Sequence, residues 1–128
     1  MARLIRDGAV VSDDWTRLGA DIDTDATLPA GKLIVPLRLW ETRRAELLAR
    51  GEPLGVWLDS SEHPEAAADA LAHLQLVAIN FPVFSDGRGY SYARLLREKF
   101  GFTGELRAIG DVLRDQLFLL RRCGFDSF

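Results

Sequence analysis

This chain of 128 residues contains few of the residues and motifs that disulfides, metal sites and cofactor sites require. Its single cysteine, Cys123, excludes an intramolecular disulfide and a C-x-x-C dithiol, and makes a reducing cytoplasm the expected setting. The two histidines, His63 and His73, have no acid at metal-ligand spacing, so no metal site is expected. The phosphate loop and the dinucleotide fingerprint are both missing. No flavin or iron–sulfur motif is recognisable either, so no cofactor is expected.

Long apolar runs and a strong charge excess are also lacking. No run approaches the ~20 apolar residues of a membrane span, and the first residues do not read as a secretory signal. We therefore expect a cytoplasmic protein without a membrane contact. The formal net charge of -3 argues against a nucleic-acid partner. The length predicts one α/β domain, residues 1–128.

The charges are unevenly distributed along the chain. Residues 1–81 carry 8 basic and 13 acidic side chains, and residues 82–128 carry 8 and 6, so net charges of -5 and +2 add to -3. The C-terminal part is therefore the place to expect an anionic ligand or an acidic partner. The alternative is an ordinary solvated helix face.

What the chain does contain is a rhythm of apolar runs and helical patterns. Apolar runs at 33–35, 54–58, 76–81 and 105–110 are followed by helical patterns that start near 36, 64, 91 and 111. About four βα units of this kind predict a mostly parallel sheet, either open or half of a β/α barrel. Asp7-Gly8 predicts an N-terminal β-hairpin, residues 19–31 a surface loop, and the three tryptophans, Trp15, Trp40 and Trp57, core positions.

The stretch F-S-D-G-R-G-Y-S-Y-A-R, residues 84–94, is the best candidate site. It follows a predicted buried strand, and parallel α/β sheets bind ligands beyond the carboxyl ends of their strands. Ser91 is predicted to cap the next helix, while two guanidinium groups could hold a carboxylate, phosphate or sulfur oxyanion. The candidate ligand-binding residues here are Asp86, Arg88, Tyr90, Ser91 and Arg94. The alternative is a structural turn, with Arg94 paired to Glu98 on its own helix.

A second candidate stretch is G-D-V-L-R-D-Q, residues 110–116. Asp111 is predicted to cap the last helix, with Arg114 and Asp115 in its first turn. In the functional interpretation, Asp111 or Asp115 faces Arg88 or Arg94 across adjacent loops and orients a ligand or transfers a proton. Ordinary capping is the alternative. Cys123 is expected to be a small buried hydrophobic residue.

The C-terminal block carries a family resemblance. F-P-V-F-S-D-G-R-G-Y-S-Y-A-R and the sequence that follows it to Phe128, together with L-I-V-P-L-R-L-W (33–40) and L-G-V-W-L (54–58), resemble the bacterial domain of unknown function 934 family. Members of this family are described as oxidoreductases involved in sulfite reduction. The resemblance implies a link to assimilatory sulfur metabolism. It also implies a further helical tail after the segment that matches Gly124–Phe128.

Three functions stay open at this point, and so does the question of catalysis. The first is an accessory protein that binds the sulfite reductase hemoprotein, or a small anion, through residues 84–94 and 110–116. The second is a pathway enzyme that acts on a sulfur oxyanion or a sulfated nucleotide. The third is a structural homodimer formed through the last helix, which is apolar on more than one face. Its apolar residues are Val112, Leu113, Leu117, Phe118, Leu119 and Leu120.

Overall fold

The computed structural model describes residues 3–6, 9–83 and 87–128, apart from the side chains of Arg3 and Arg114. The strands are β1 Arg3–Arg6, β2 Ala9–Ser12, β3 Thr16–Arg17, β4 Leu33–Pro36, β5 Leu54–Leu58, β6 Leu76–Phe81 and β7 Glu105–Gly110. The α-helices are α1 Leu37–Ala49, α2 Arg88–Arg94, which continues as a π-helical turn over Leu95–Lys99, and α3 Leu117–Cys123. Short 3₁₀ helices cover Pro64–Ala67, Leu71–His73 and Arg114–Gln116.

Five of the strands form a parallel sheet in the order β3-β4-β5-β6-β7. The predicted α/β class and the predicted parallel sheet are confirmed. β1 and β2 pair antiparallel, as predicted, although the proposed turn at Asp7-Gly8 lies outside the described residues. A bridge at Ser127 joins β1 to β7.

The two faces of the sheet are covered differently, as the side-chain alternation in each strand shows. Val35, Val56, Val77 and Leu106 join the large core that also contains the buried residues of all three α-helices. Ile34, Trp57, Leu76 and Ala78 form a separate small cluster with Trp15 and Ile109. The helices therefore cover one face only, which corresponds to half of a β/α barrel rather than a sheet covered on both sides.

The segment between β5 and β6 corrects a prediction. The pattern at 64–74 predicted a helix with one apolar stripe, but the chain forms two separate 3₁₀ helices there. Residues three apart share a face in either kind of helix, so the spacing of Ala67 and Ala70 did not distinguish the two. Ala67 ends the first 3₁₀ helix, Ala70 lies in the turn before the second, and both are fully buried.

Two predicted helix starts are also wrong. α2 begins at Arg88, with Gly87 before it, so Ser91 is an exposed residue inside the helix and not its cap. The early start is accommodated by Gly89, where a Cβ atom would lie 2.5 Å from the ring of buried Phe81. α3 begins at Leu117 rather than at Asp111, because the Asp111 amide donates 2.7 Å to the Phe81 carbonyl and stays with the sheet.

Several other local predictions are confirmed. Gly51, Gly101 and Gly124 follow the ends of helices. Trp40 and Trp57 are buried, and Cys123 is a buried free thiol. Trp15 is the exception among the tryptophans, since it is only partly buried and packs at the edge of the small cluster.

Candidate functional site

The loops that follow β5, β6 and β7 meet at the carboxyl edge of the sheet, where the sequence placed the candidate site. Ser60, in the loop after β5, is the centre of the contacts at this edge. Arg88 donates from Nη2 to Ser60 Oγ at 3.0 Å, and the Tyr92 hydroxyl donates to the Ser60 carbonyl at 2.7 Å. Ser60 is 9% exposed. The start of α2 is thus tied to the loop after β5, and the Arg88 guanidinium lies over the edge.

The same loop is organised by Asp59. Its Oδ1 accepts from the Ser60 amide at 2.8 Å and from the Asn80 side-chain amide at 3.1 Å. Its own backbone amide donates to Glu62 Oε1 at 2.8 Å. These bonds connect the ends of β5 and β6 and hold Ser60 in place for Arg88 and Tyr92.

A second set of contacts connects α2 to the segment before α3. Gln116 donates from Nε2 to the Tyr90 hydroxyl at 2.9 Å, and its Oε1 accepts from the Leu113 amide at 2.8 Å. Tyr90 also packs edge-on against the Phe81 ring, with 5.5 Å between the ring centroids. The two candidate stretches are therefore neighbours, as predicted, and the hydrogen bond from Gln116 to Tyr90 joins them.

The predicted site residues separate into distinct groups. Arg88 and Tyr90 lie at the carboxyl edge, Ser91 and Arg94 are exposed along α2, and Asp111 and Asp115 are exposed between β7 and α3. Within the described residues, Arg94 has no ion pair, and this includes the pair with Glu98 that the structural alternative assumed.

Two of the eight predicted site residues cannot be compared at the level of their side chains. Asp86 lies outside the described residues, and only the backbone of Arg114 is described, in a 3₁₀ helix. The pairing of Asp111 or Asp115 with Arg88 or Arg94, like the ligand-binding role of the whole set, stays a prediction.

A charged cluster on the helix-free face was not predicted. The side chain of Arg107 is 4% exposed and donates to Asp13 Oδ1 at 2.9 Å, to Glu105 Oε2 at 2.9 Å and to Ser127 Oγ at 3.1 Å. These partners lie before β3, on β7 and near the C-terminal end. The cluster therefore joins three distant parts of the chain. The pattern Glu-x-Arg within a predicted buried strand was the available signal, since residues two apart share a face.

Glu105 is the best-connected acid of this cluster. Burial raises the pKa of its carboxyl group, but hydrogen bonds from Ser127 and Arg107 and the charges of Arg107 and Arg6 outweigh burial and hold the pKa below its usual value. Glu105 is therefore ionised at neutral pH, as its role of binding a buried guanidinium requires. Both partners are committed to each other, so this cluster is a structural one.

Among residues 3–6, 9–83 and 87–128, no group of three or more histidine, cysteine, aspartate or glutamate side chains could hold a metal ion. In the same part of the chain, no helix has the length and apolar character needed to cross a membrane.

The fold and the edge contacts define an α/β protein with a one-sided parallel sheet and a polar carboxyl edge. Residues 55–128 match the model of a family described as "Bacterial protein of unknown function (DUF934)", and the chain belongs to this family. The resemblance found in the sequence is confirmed at the level of the family. Searches of curated proteins and of solved structures gave no match.

Proposed function

We propose that this protein is an accessory binding protein that docks on an acidic surface of a partner protein through the outer face of α2 and α3. The observation that carries the proposal is the exposure of large apolar side chains on and beside α3. Phe118 is 74% exposed, Leu119 is 46% exposed and Leu113 is 40% exposed. Large exposed apolar groups that lie so close along the chain are typical of interaction surfaces, in which aromatic residues are enriched.

The charges around these side chains favour an acidic partner. Arg121 and Arg122 are exposed on α3, and Arg94 is exposed on the neighbouring α2. Within the described residues none of the three forms an ion pair, although Arg122 lies 5.8 Å from the centroid of the Phe118 ring. Arginine next to an aromatic ring is well suited to a protein interface, because it combines a cation with a flat apolar surface.

The polar residues of the carboxyl edge favour binding over catalysis. Ser60, Tyr92 and Asn80 all bond to neighbouring protein groups, and these bonds hold the loops together. A nucleophile and a general base within hydrogen-bonding distance would instead favour an enzyme. In this proposal, the hydrogen bonds at the carboxyl edge serve to hold α2 and α3 in position.

The family resemblance supports the choice of partner. We take the partner to be the hemoprotein subunit of sulfite reductase, and the location to be the cytoplasm. The docking surface on α2 and α3 is apolar and basic. The matching surface of the partner would therefore be an apolar patch surrounded by carboxylates.

The direct test measures binding to the purified hemoprotein by biolayer interferometry. We expect Phe118→Ser to weaken binding more than tenfold, as loss of a central aromatic residue does. The double variant Arg121→Glu and Arg122→Glu should slow association and reduce the dependence of binding on salt. Val10→Ser is the matched control, because Val10 is also exposed (64%) but lies on β2.

Two outcomes would contradict the proposal. One is wild-type protein that does not bind the hemoprotein, and the other is equal weakening by Phe118→Ser and by Val10→Ser. Sedimentation of the protein alone tests whether the same face forms a homodimer instead. Growth of a deletion strain on sulfate and on cysteine tests the pathway, and equal growth on both would remove the link to sulfur assimilation.

A second candidate function is the binding of a small anion at the carboxyl edge, which includes an enzyme acting on a sulfur oxyanion. The observation that favours it is the position of the Arg88 guanidinium, 3.0 Å from Ser60 Oγ, where parallel α/β sheets bind ligands. Calorimetry with sulfite, sulfate and nucleotides tests this function. Binding to the wild-type protein should be lost in Arg88→Ala and kept in Arg94→Ala. Equal heats in all three proteins would contradict it.

A further inference from the structure

A cavity of about 640 Å³ opens at the end of β7, beside the small apolar cluster on the helix-free face of the sheet and the start of α3. Its volume lies within the range of ~300–1,000 Å³ that is typical of small-molecule sites. Residues from the N-terminal hairpin, from β4 and β7, from the start of α3 and from the C-terminal end line it. It is separate from the outer face of α2 and α3 and needs no part of the function proposed above.

The cavity brings together apolar side chains that are incompletely buried. Its partly exposed hydrophobic residues are Ile5, Trp15, Ile109, Val112, Leu117 and Phe128. Fully buried Ile34, from the small cluster under the sheet, contributes to the wall. A ligand with an apolar body would remove this surface from water, at about 25 cal/mol for each Å² buried. The partial exposure of Trp15, which the sequence placed in the core, is explained by its position at this opening.

Among the described residues that line the cavity, Arg17 is a cation available to a ligand. Arg17 lies opposite Ile34 in the parallel pairing of β3 and β4, so the two side chains leave the sheet on the same face. Arg17 is exposed and has no ion pair in the part of the chain that the structure describes. The other cation of the wall, Arg107, is already neutralised by Asp13 and Glu105.

We propose that this cavity binds a small amphipathic monoanion. An aromatic or other apolar body packs on Trp15 and Ile109, and a carboxylate or sulfonate group lies toward Arg17. A dianion or a bare inorganic anion is disfavoured, because among the described residues of the wall Arg17 is the one cation without an ion pair, and most of the other lining residues are apolar. A neutral hydrocarbon would leave the Arg17 charge without a partner.

Two fluorescent probes of similar shape test this chemistry. 8-Anilinonaphthalene-1-sulfonate has an aromatic body and one sulfonate, and N-phenyl-1-naphthylamine has the same aromatic body without the charge. We expect one saturable site, with the sulfonate binding more tightly. Arg17→Ala should weaken the sulfonate roughly three- to tenfold, as for a partly exposed charge-assisted bond, and leave the neutral probe unchanged. Arg94→Ala is the matched control for loss of an exposed arginine.

Nitrogen–proton correlation spectra of the wild-type protein locate the site without any substitution. The indole N–H of Trp15 and the amides of Ile109, Gly110 and Val112 should shift on titration with the sulfonate. Val112→Trp, which fills the cavity, should abolish binding while the urea midpoint shows that the protein is folded. Shifts confined to other residues, absence of a saturable site, or equal loss of affinity in Arg17→Ala and Arg94→Ala would overturn the proposal.

Discussion

Replacement of Arg107 by methionine tests how β7 is held to the segment before β3, at the opposite edges of the sheet. Arg107 is 4% exposed and bonds to Asp13, which lies 94 residues away, as well as to Glu105 and Ser127. Methionine keeps most of the apolar chain length and removes the charge. The change would leave two carboxylates, which are only 20% and 19% exposed, without their main cation.

The expected loss in the free energy of unfolding follows from the burial of Arg107 and of the two carboxylates. Removal of one partner from a buried ion pair costs about 3–5 kcal/mol, and the partial exposure of the two acids places this case near 3 kcal/mol. A domain of this size is stable by about 5–15 kcal/mol, so the variant should lose a large share. Arg6→Met is the matched control, because Arg6 pairs with the same glutamate at 3.4 Å but has a side chain that is 45% exposed. Its loss should be at most about 0.5 kcal/mol.

Urea unfolding, followed by tryptophan fluorescence, measures both variants. With a slope near 2 kcal/mol per molar, Arg107→Met should lower the midpoint by about 1.5 M, while Arg6→Met should leave it almost unchanged. Addition of Asp13→Asn and Glu105→Gln to Arg107→Met removes the uncompensated charges and should restore about half of the loss. A loss below about 1 kcal/mol in Arg107→Met, or equal losses in the two arginine variants, would refute the reasoning.

Three more changes test the cluster, the carboxyl edge and the contact of α2 with the sheet. Because the pKa of Glu105 is held below 4.5 in the folded protein, its contribution is complete above about pH 4.5 and disappears as the pH falls through the lower value. The difference in urea midpoint between wild type and Glu105→Gln should therefore shrink below pH 4.5, and a constant difference would contradict this. Gly110→Ala and Gly51→Ala both place alanine at positive φ (+89° and +69°), but only at Gly110 does the new methyl group overlap the backbone of β6. Gly51→Ala should cost about 1 kcal/mol and Gly110→Ala about 1–3 kcal/mol more, and equal unfolding energies would show that the overlap is relieved. Tyr92→Phe removes the 2.7 Å bond to the Ser60 carbonyl and should cost about 1 kcal/mol in the same assay, with a neutral result contradicting a structural role for that bond.

The local order of the fold could be predicted because the apolar runs and helix-ending glycines are signals carried by adjacent residues. The strands at 54–58 and 76–81 are buried over nearly their whole length, as expected for parallel strands. The starts of α2 and α3 could not be predicted from capping residues. Gly89 packs against Phe81, and the Asp111 amide bonds to the carbonyl of the same residue. Both contacts are made with β6, which comes before both helices in the sequence. Tertiary contacts of this kind outweigh the preference of capping residues for the start of a helix.

The candidate site at the carboxyl edge was likewise predictable only in part. The sequence identified Arg88 and Tyr90 because they follow a buried strand. It did not identify their partners Ser60 and Gln116, which come from other loops. Hydrogen bonds between residues of different loops depend on which strands are adjacent in the sheet. A short stretch of sequence does not determine that adjacency.

The sequence by itself determined the α/β class, the family and the position of the polar loops, because each depends on residue types at short spacing. Only the tertiary structure decided that the helices cover one face, that Arg107 joins Asp13 to Glu105, and that a cavity opens beside Trp15. The physical reason is that these features depend on strand order, which brings into contact residues as distant in the chain as Asp13 and Arg107, 94 positions apart. The free energy of those contacts comes from burial and from paired charges, and neither exists until the chain has folded.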